Sequence, residues 1–361
     1  PSIFPHYYEL PLGVIACGAL TYGLHWTERG RDDSSTYNNI LWNGATLLAV
    51  VIFGAYVVNV QKHDPALRSS HRNFFGVLRV LEQATEAGTR YTLVNGRTRH
   101  GSQLMNAPET AISYFGPITG LGLIFGQRPD APPRRIGVVG LGIGTIAAYG
   151  RPWDQITFYE IDPDVAHIAK DGRYFRYLRD SAADTRIVLG DARLSLETEL
   201  RKDGGNDYDI LVVDAFNSDA IPMHLLTQEA FRLYLAHLAK DGVLAVHITS
   251  LHLELAPSIH RVGNLLGINT FEVRNSMFPL SDFSRWVILS QDLSLKRSIR
   301  FAAKKLGATK YVQIVVPSPV RTRRAPLLTD DYSNVFELLL LPDSLRQLPR
   351  RLRAWWSSAG P

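Results

Sequence analysis

Residues 135–150, "RIGVVGLGIGTIAAYG", read as a buried strand, a glycine-studded turn and something helical after it. Gly140, Gly142 and Gly144 permit tight turning and bring backbone N–H groups close to a ligand. Twenty residues beyond Gly140, the run "QITFYE" ends on Glu160, an acid at the end of an apolar stretch. A glycine turn after one strand and an acid closing the next is an arrangement that holds nucleosides, with the acid on the ribose hydroxyls.

The glycine spacing narrows the ligand. A dinucleotide fingerprint requires G-x-G-x-x-G, whereas here the third glycine comes one residue early, at Gly144, and Thr145 follows. G-x-G-x-G is the pattern of class I S-adenosylmethionine-binding folds, which argues against a nicotinamide enzyme. Working outward, "RIGVVG", "QITFYE", "TRIVLG", "YDILVVD", "GVLAVHI" and "RWVILS" are short, β-branched and apolar on both faces. Helical stretches such as "PDVAHIAKD" and "TQEAFRLYLAHLAKDG" separate some of them. The alternation predicts an α/β fold, a doubly wound and mainly parallel sheet that binds its ligand at the strand carboxyl ends. Further acids fall at such ends: Asp191 after "RIVLG", Asp214 closing "YDILVVD", and Asp219 in the loop "AFNSDAIP". With Glu160 they make an anionic cleft suited to a sulfonium, an amine, or both. His167, His224 and His247 show no ligand spacing, and structural roles are expected for them.

The 361 residues are 45% hydrophobic and 20% charged, which fits a folded protein. The net charge of +5 is mild and the arginines are spread out, so no nucleic-acid partner is expected. The single cysteine, Cys17, removes an intramolecular disulfide or a Cys-based zinc site. Residues 10–26 carry no formal charge apart from His25, and residues 40–60 carry none. Both are near the roughly 20 apolar residues that cross a ~30 Å hydrocarbon layer, so two transmembrane helices are expected within a membrane segment 1–65. Lys62, Arg68 and Arg72 after the second stretch place the large region in the cytoplasm by the positive-inside rule, on a bacterial inner membrane. Residues 70–130 read as a small β-domain with a tight turn at Asn95–Gly96, and 134–335 as the Rossmann-like domain. The basic, Trp-bearing tail 342–361 is expected to rest on the lipid bilayer.

The motifs "RNFFGVLRV", "NGRTRHGSQ", "SYFGPITGLG", "GVVGLGIGT", "FYEIDPDV", "LGDARL", "VVDAFNSDAIP" and "LLTDDYSN" occur in the order seen in spermidine synthase-like proteins. Over roughly residues 70–335 the chain resembles the bacterial type in which a membrane, transporter-like segment is fused to a polyamine-synthase domain. The resemblance implies a small N-terminal β-domain over a class I methyltransferase-type domain, often as a homodimer or within a larger membrane complex. It implies aminopropyl transfer from decarboxylated S-adenosylmethionine to an amine such as putrescine, with no metal. Gly140, Gly142 and Gly144 would line the cosubstrate, Glu160 would hold its ribose, and Asp191 with Ala192 its adenine. Asp214 matches the acid that deprotonates the amine, Asp219 a second acid of that loop, Tyr114 the amine-binding wall, and Gln103 a looser β-domain position.

Two departures matter. An acid of the glycine loop that contacts the aminopropyl amine is replaced by Ile143, and two extra residues separate Asp214 from Asp219. They leave open S-adenosylmethionine itself as donor, with methyl transfer or cleavage, and a non-catalytic subunit that keeps the fold for docking.

Overall fold

The computed structural model describes residues 13, 15–20, 23–24, 44–46, 48–55, 65–96, 98–126, 132–216 and 221–340. They fall in two units, residues 1–81 and 82–361. In the first, the described residues between 13 and 24 and between 44 and 55 are helical. The two expected membrane spans are not found: among the described residues no helix is long and apolar enough to cross a membrane. Crossing a ~30 Å hydrocarbon layer takes roughly 20 helical residues in one apolar run, and no helix of the described residues meets that. The assignment to a bacterial inner membrane, which rested on those spans, falls with them. The tail 342–361 lies outside the described residues. The same unit holds β1 (Leu67–Asn73), antiparallel to the first part of β2 (Gly76–Thr85), with Asn73 opposite Gly76.

In the second unit β3 (Gly88–Asn95) and β4 (Thr98–Leu104) form an antiparallel hairpin, and Gly96 at its turn has φ 59°. Eight further strands make one sheet: β5 (Arg135–Val139), β6 (Gln155–Glu160), β7 (Asp184–Leu189), β8 (Tyr208–Val213), β9 (Leu238–His247), β10 (Asn269–Asn275), β11 (Ser284–Ser290) and β12 (Val312–Val315). Their order is β12-β10-β11-β9-β8-β5-β6-β7. The pairs β5–β6, β6–β7, β5–β8 and β8–β9 are parallel, while β11, β10 and β12 attach antiparallel. Successive residues Ile136–Val139, Ile210–Val213 and all of β11 are buried, so both faces of the central sheet are covered, as their unbroken apolar character requires. The chain moves outward from β5 to β6 and β7, then returns to β8 on the other side of β5. That reversal opens a crevice at the carboxyl ends of β5 and β8.

The helical segment after the glycine turn, "TIAAY", is a five-residue 3-10 helix, Thr145–Tyr149. Two local readings change. The helix starting at Gln228 ends at Ala236, because Leu238 already pairs with Tyr208 as part of β9. Strands β10 and β12 carry charged or polar residues among their apolar ones, a pattern the search for two-faced apolar runs passes over.

His260, on the helix Ala256–Leu265, is 3% exposed and its Nδ1 lies 2.8 Å from Thr270 Oγ1. Burial pushes its pKa down to about 4, against the pull of Glu272 and Glu254. The folded protein therefore keeps His260 neutral at a pH where the unfolded chain already binds a proton. Stability is complete above the ordinary value near 6.5 and falls as pH drops from there toward 4, by about 3 kcal/mol in total. Denaturant unfolding at pH 7 and pH 4.5 should show the wild type losing about 2–3 kcal/mol more than His260→Gln. Equal losses would show that His260 is not the group being charged.

Candidate active site

The crevice is built first from backbone. Gly140 has φ 96°, and a Cβ there would lie 2.4 Å from the carbonyl oxygen of Asp214. Gly142 has φ 55°, and a Cβ there would lie 2.5 Å from the carbonyl oxygen of His100 on β4. Glycine is required at both, because an L side chain would meet backbone that cannot move aside. At Gly144 the neighbour is the Leu178 side chain. The loop is thus clamped between the β8 end and β4. Glu160, at the end of β6, holds it from the third side: Oε2 accepts Leu141 N–H at 3.0 Å and Oε1 accepts Asp162 N–H at 2.9 Å. Burial pushes the Glu160 carboxyl up, while these backbone donors pull it down. Ile161 N–H is a third backbone donor to the carboxyl, and the roughly four lone-pair sites of a carboxylate still leave room for a hydroxyl.

Asp214 follows β8 directly, its N–H bonded to Val139 O at 2.9 Å. Its Oδ1 lies 2.6 Å from His247 Nδ1 at the end of β9. His247 is stacked with Tyr114 (centroids 4.9 Å, 14°) and with Trp286 (4.6 Å, 20°), and Phe216 meets it edge-on. Tyr114 donates to Arg99 O at 3.4 Å. Burial and then the Asp214 charge raise the Tyr114 phenol well above its usual pKa, so it stays protonated and a donor. Arg99 in turn pairs with Asp282 at 2.7 Å, tying β4 to the segment between β10 and β11. Burial lowers the His100 pKa more than Asp214 raises it, and among the described residues its buried Nε2 has no hydrogen-bond partner.

The structure brings together Gly140, Gly142, Gly144, Glu160, Asp214 and Tyr114. Asp191 stands at the end of β7 as the N-cap of the helix Ala192–Asp203, with Oδ1 accepting Leu194 N–H at 3.0 Å. Its Oδ2 is 3.1 Å from His224 Nε2, and Ala192 opens the helix beside it. Gln103 is fully buried and turned inward: its amide donates to Pro108 O and accepts from Arg176 N–H, so it braces the β4 end. Asp219 lies outside the described residues. Ile143 is fully buried and lies against Gly101 of β4, an apolar plug beside the crevice.

Two residues were missed by reading the sequence. His224 and His247 each bond one of the candidate acids, Asp191 and Asp214. A signal existed for His247, since it closes "GVLAVH" at a strand carboxyl end as Glu160 closes "QITFYE". The arrangement can bind a hydroxyl at Glu160, and hold a cation and move a proton at Asp214.

No family model matches the chain. It is 36% identical over 132 residues to a polyamine aminopropyltransferase from Vibrio vulnificus, a match covering 36% of this chain and 41% of that protein. It is 32% identical over 114 residues to a probable polyamine aminopropyl transferase from Bifidobacterium longum, covering 31% of this chain and 23% of that protein. The matches thus span less than half the length of these curated relatives. Among solved structures, a probable spermidine synthase from Corynebacterium glutamicum aligns with a TM-score of 0.55 at 17% identity, over 76% of this chain and 99% of that one. With the sheet order above, that alignment makes the fold a class I methyltransferase-like α/β fold, as in that probable spermidine synthase.

Proposed function

We propose that the protein is an aminopropyltransferase of the spermidine synthase type, alkylating an amine such as putrescine with decarboxylated S-adenosylmethionine. The observation that carries this reading is the junction of the glycine loop with Glu160 on one side and Asp214 on the other, at the switch point between β5 and β8. The sequence similarity to polyamine aminopropyltransferases supports it. Glu160 receives the ribose hydroxyls, Asp191 and Ala192 the adenine, and Gly140, Gly142 and Gly144 the backbone approach. The sulfonium supplies a carbon already activated toward a nucleophile. Tyr114 walls the amine, and Asp214 takes a proton from its ammonium. The freed lone pair then forms the C–N bond as the C–S bond breaks, leaving the thioether. Holding the partners in line is the larger part of the work.

A second reading is favoured by Ile143. A buried isoleucine supplies no charge for a cationic aminopropyl tail, so intact S-adenosylmethionine, giving methyl transfer, remains the alternative. Incubation of the full chain with each donor and putrescine decides between them. Spermidine with methylthioadenosine supports the first reading, and a methylated amine with S-adenosylhomocysteine the second. Neither product from either donor overturns both. Separately, Glu160→Gln should weaken binding of methylthioadenosine by about 1–3 kcal/mol, since charge-assisted hydrogen bonds are lost. Unchanged affinity by calorimetry would remove Glu160 from the ribose site.

A further inference from the structure

Asp214 is gripped by a histidine whose two ring nitrogens are both committed. β9 lies beside β8 in the sheet, so His247 and Asp214 emerge from neighbouring strands at one edge. His247 Nε2 lies 2.8 Å from Thr249 Oγ1, and Thr249 Oγ1 also accepts the backbone N–H of Arg285 at 2.9 Å. These contacts select a tautomer. An ionised carboxylate only accepts, so the hydrogen sits on Nδ1 and points at Asp214. In a neutral imidazole Nε2 then accepts, and Thr249, whose oxygen already accepts from Arg285, supplies its O–H. A directed chain results, from Arg285 N–H through Thr249 and His247 to Asp214.

The ring has little freedom to turn. It is 5% exposed and stacked with Tyr114 and with the fully buried Trp286. Arg285 is itself anchored, its guanidinium held by Glu272 at 2.6 Å and Glu254 at 2.7 Å. Among the described residues, His100 on β4 and Tyr114 feel the Asp214 charge, and Arg99 with its partner Asp282 acts in turn on Tyr114. For stacking alone a phenylalanine would serve at 247. A histidine with its Nδ1 on the carboxylate does something further.

We propose that His247 is a positioning residue for Asp214, its Nδ1–H fixing the carboxylate so that Oδ2 is left to take the acceptor's proton. This rests on the reading of Asp214 as the proton acceptor. It extends that reading to how a carboxylate on a loop is held in register with its substrate: the anchor lies on the neighbouring strand.

The test uses three variants of the full chain, assayed with the donor and amine that give turnover. His247→Asn places an amide N–H where Nδ1 was, His247→Gln reaches toward the Thr249 position instead, and His247→Phe keeps only the stacking. His247→Phe and His247→Gln should lower kcat by about 10²-fold, the scale of a misplaced catalytic group, with the donor KM little changed. His247→Asn should recover most of that loss. Equal kcat in Asn, Gln and Phe variants, or a normal kcat in His247→Phe, would overturn the proposal. If the Phe variant does not fold, the Asn–Gln contrast still decides. Independently, 15N-histidine NMR of the wild type should show a downfield Nδ1–H resonance that His247→Asn removes. A ring protonated at Nε2 alone, with no hydrogen on Nδ1, would overturn the proposal. A wild type that alkylates no amine would overturn the transfer reading instead, while the NMR result still reports whether His247 holds Asp214.

Discussion

Asp214→Asn should lower kcat for amine alkylation by about 10²–10⁴, the usual contribution of a positioned proton acceptor, while donor binding is largely kept. That loss corresponds to about 3–5 kcal/mol of transition-state stabilisation. Asparagine is the informative replacement because it leaves the local structure in place. The amide oxygen can still accept from His247 Nδ1–H, and the backbone contacts that wedge residue 214 against Gly140 do not involve the side chain. What is lost is an oxygen able to accept a proton. Steady-state and single-turnover rates, paired with calorimetry for methylthioadenosine, separate the two effects. A near-normal kcat would remove Asp214 from the chemistry, and an equal loss of donor affinity would assign it to the donor instead.

The second large effect is expected at the opposite end of the strands. Asp154 is fully buried in front of β6 and collects six hydrogen bonds from two arginines, Arg134 before β5 and Arg151 before the turn. Its own carbonyl accepts Asp184 N–H at the start of β7, so one residue ties together the amino ends of β5, β6 and β7. Burial by itself would raise its carboxyl pKa, but the bonds from Arg151 and Arg134 prevail and hold it well below the usual carboxylate range. Asp154→Ala leaves two guanidiniums facing one another around an empty centre. The expected loss of stability is about 3 kcal/mol, at the low end for a broken buried pair because both arginines keep some access to water. The sign with pH follows from the depressed value. The contribution is present above the unfolded pKa near 3.9 and is lost as pH falls through the lower folded value, so wild type and variant should converge in strong acid. Denaturant unfolding at neutral pH and near pH 2 measures both. A variant within about 0.5 kcal/mol of wild type at neutral pH would show the cluster to be dispensable, as substitutions away from special features are.

How much of this could be read from the residues depends on the range of the forces involved. The strands β5, β6, β8, β9 and β11 were legible because a strand covered on both faces must be apolar at consecutive positions, a local property; the half-exposed edge strand β7 was legible from its short apolar run at residues 187–189. The glycine loop was legible because positive φ restricts residue choice position by position. So were Glu160 and Asp214, since a strand's carboxyl end can be located from the strand alone. Residues 10–26 and 40–60 were misread as membrane spans because the absence of charge limits what a segment can bury without specifying how long a helix it forms. Strand β10 escaped because Glu272 and Arg274 interrupt its pattern, and the burial of Glu272 depends on Arg285, a partner on another strand; the four-residue β12 is interrupted by Gln313. The same distance hid His247. Thirty-three residues separate it from Asp214, and only the placement of β9 beside β8 puts its ring against the carboxylate. The sequence by itself determined the strands, the turn and the acids at their ends, because backbone sterics and burial act residue by residue. Which of those acids a histidine would hold was decided by the order of strands in the sheet, since a hydrogen bond of 2.6 Å exists only where two distant strands are made neighbours.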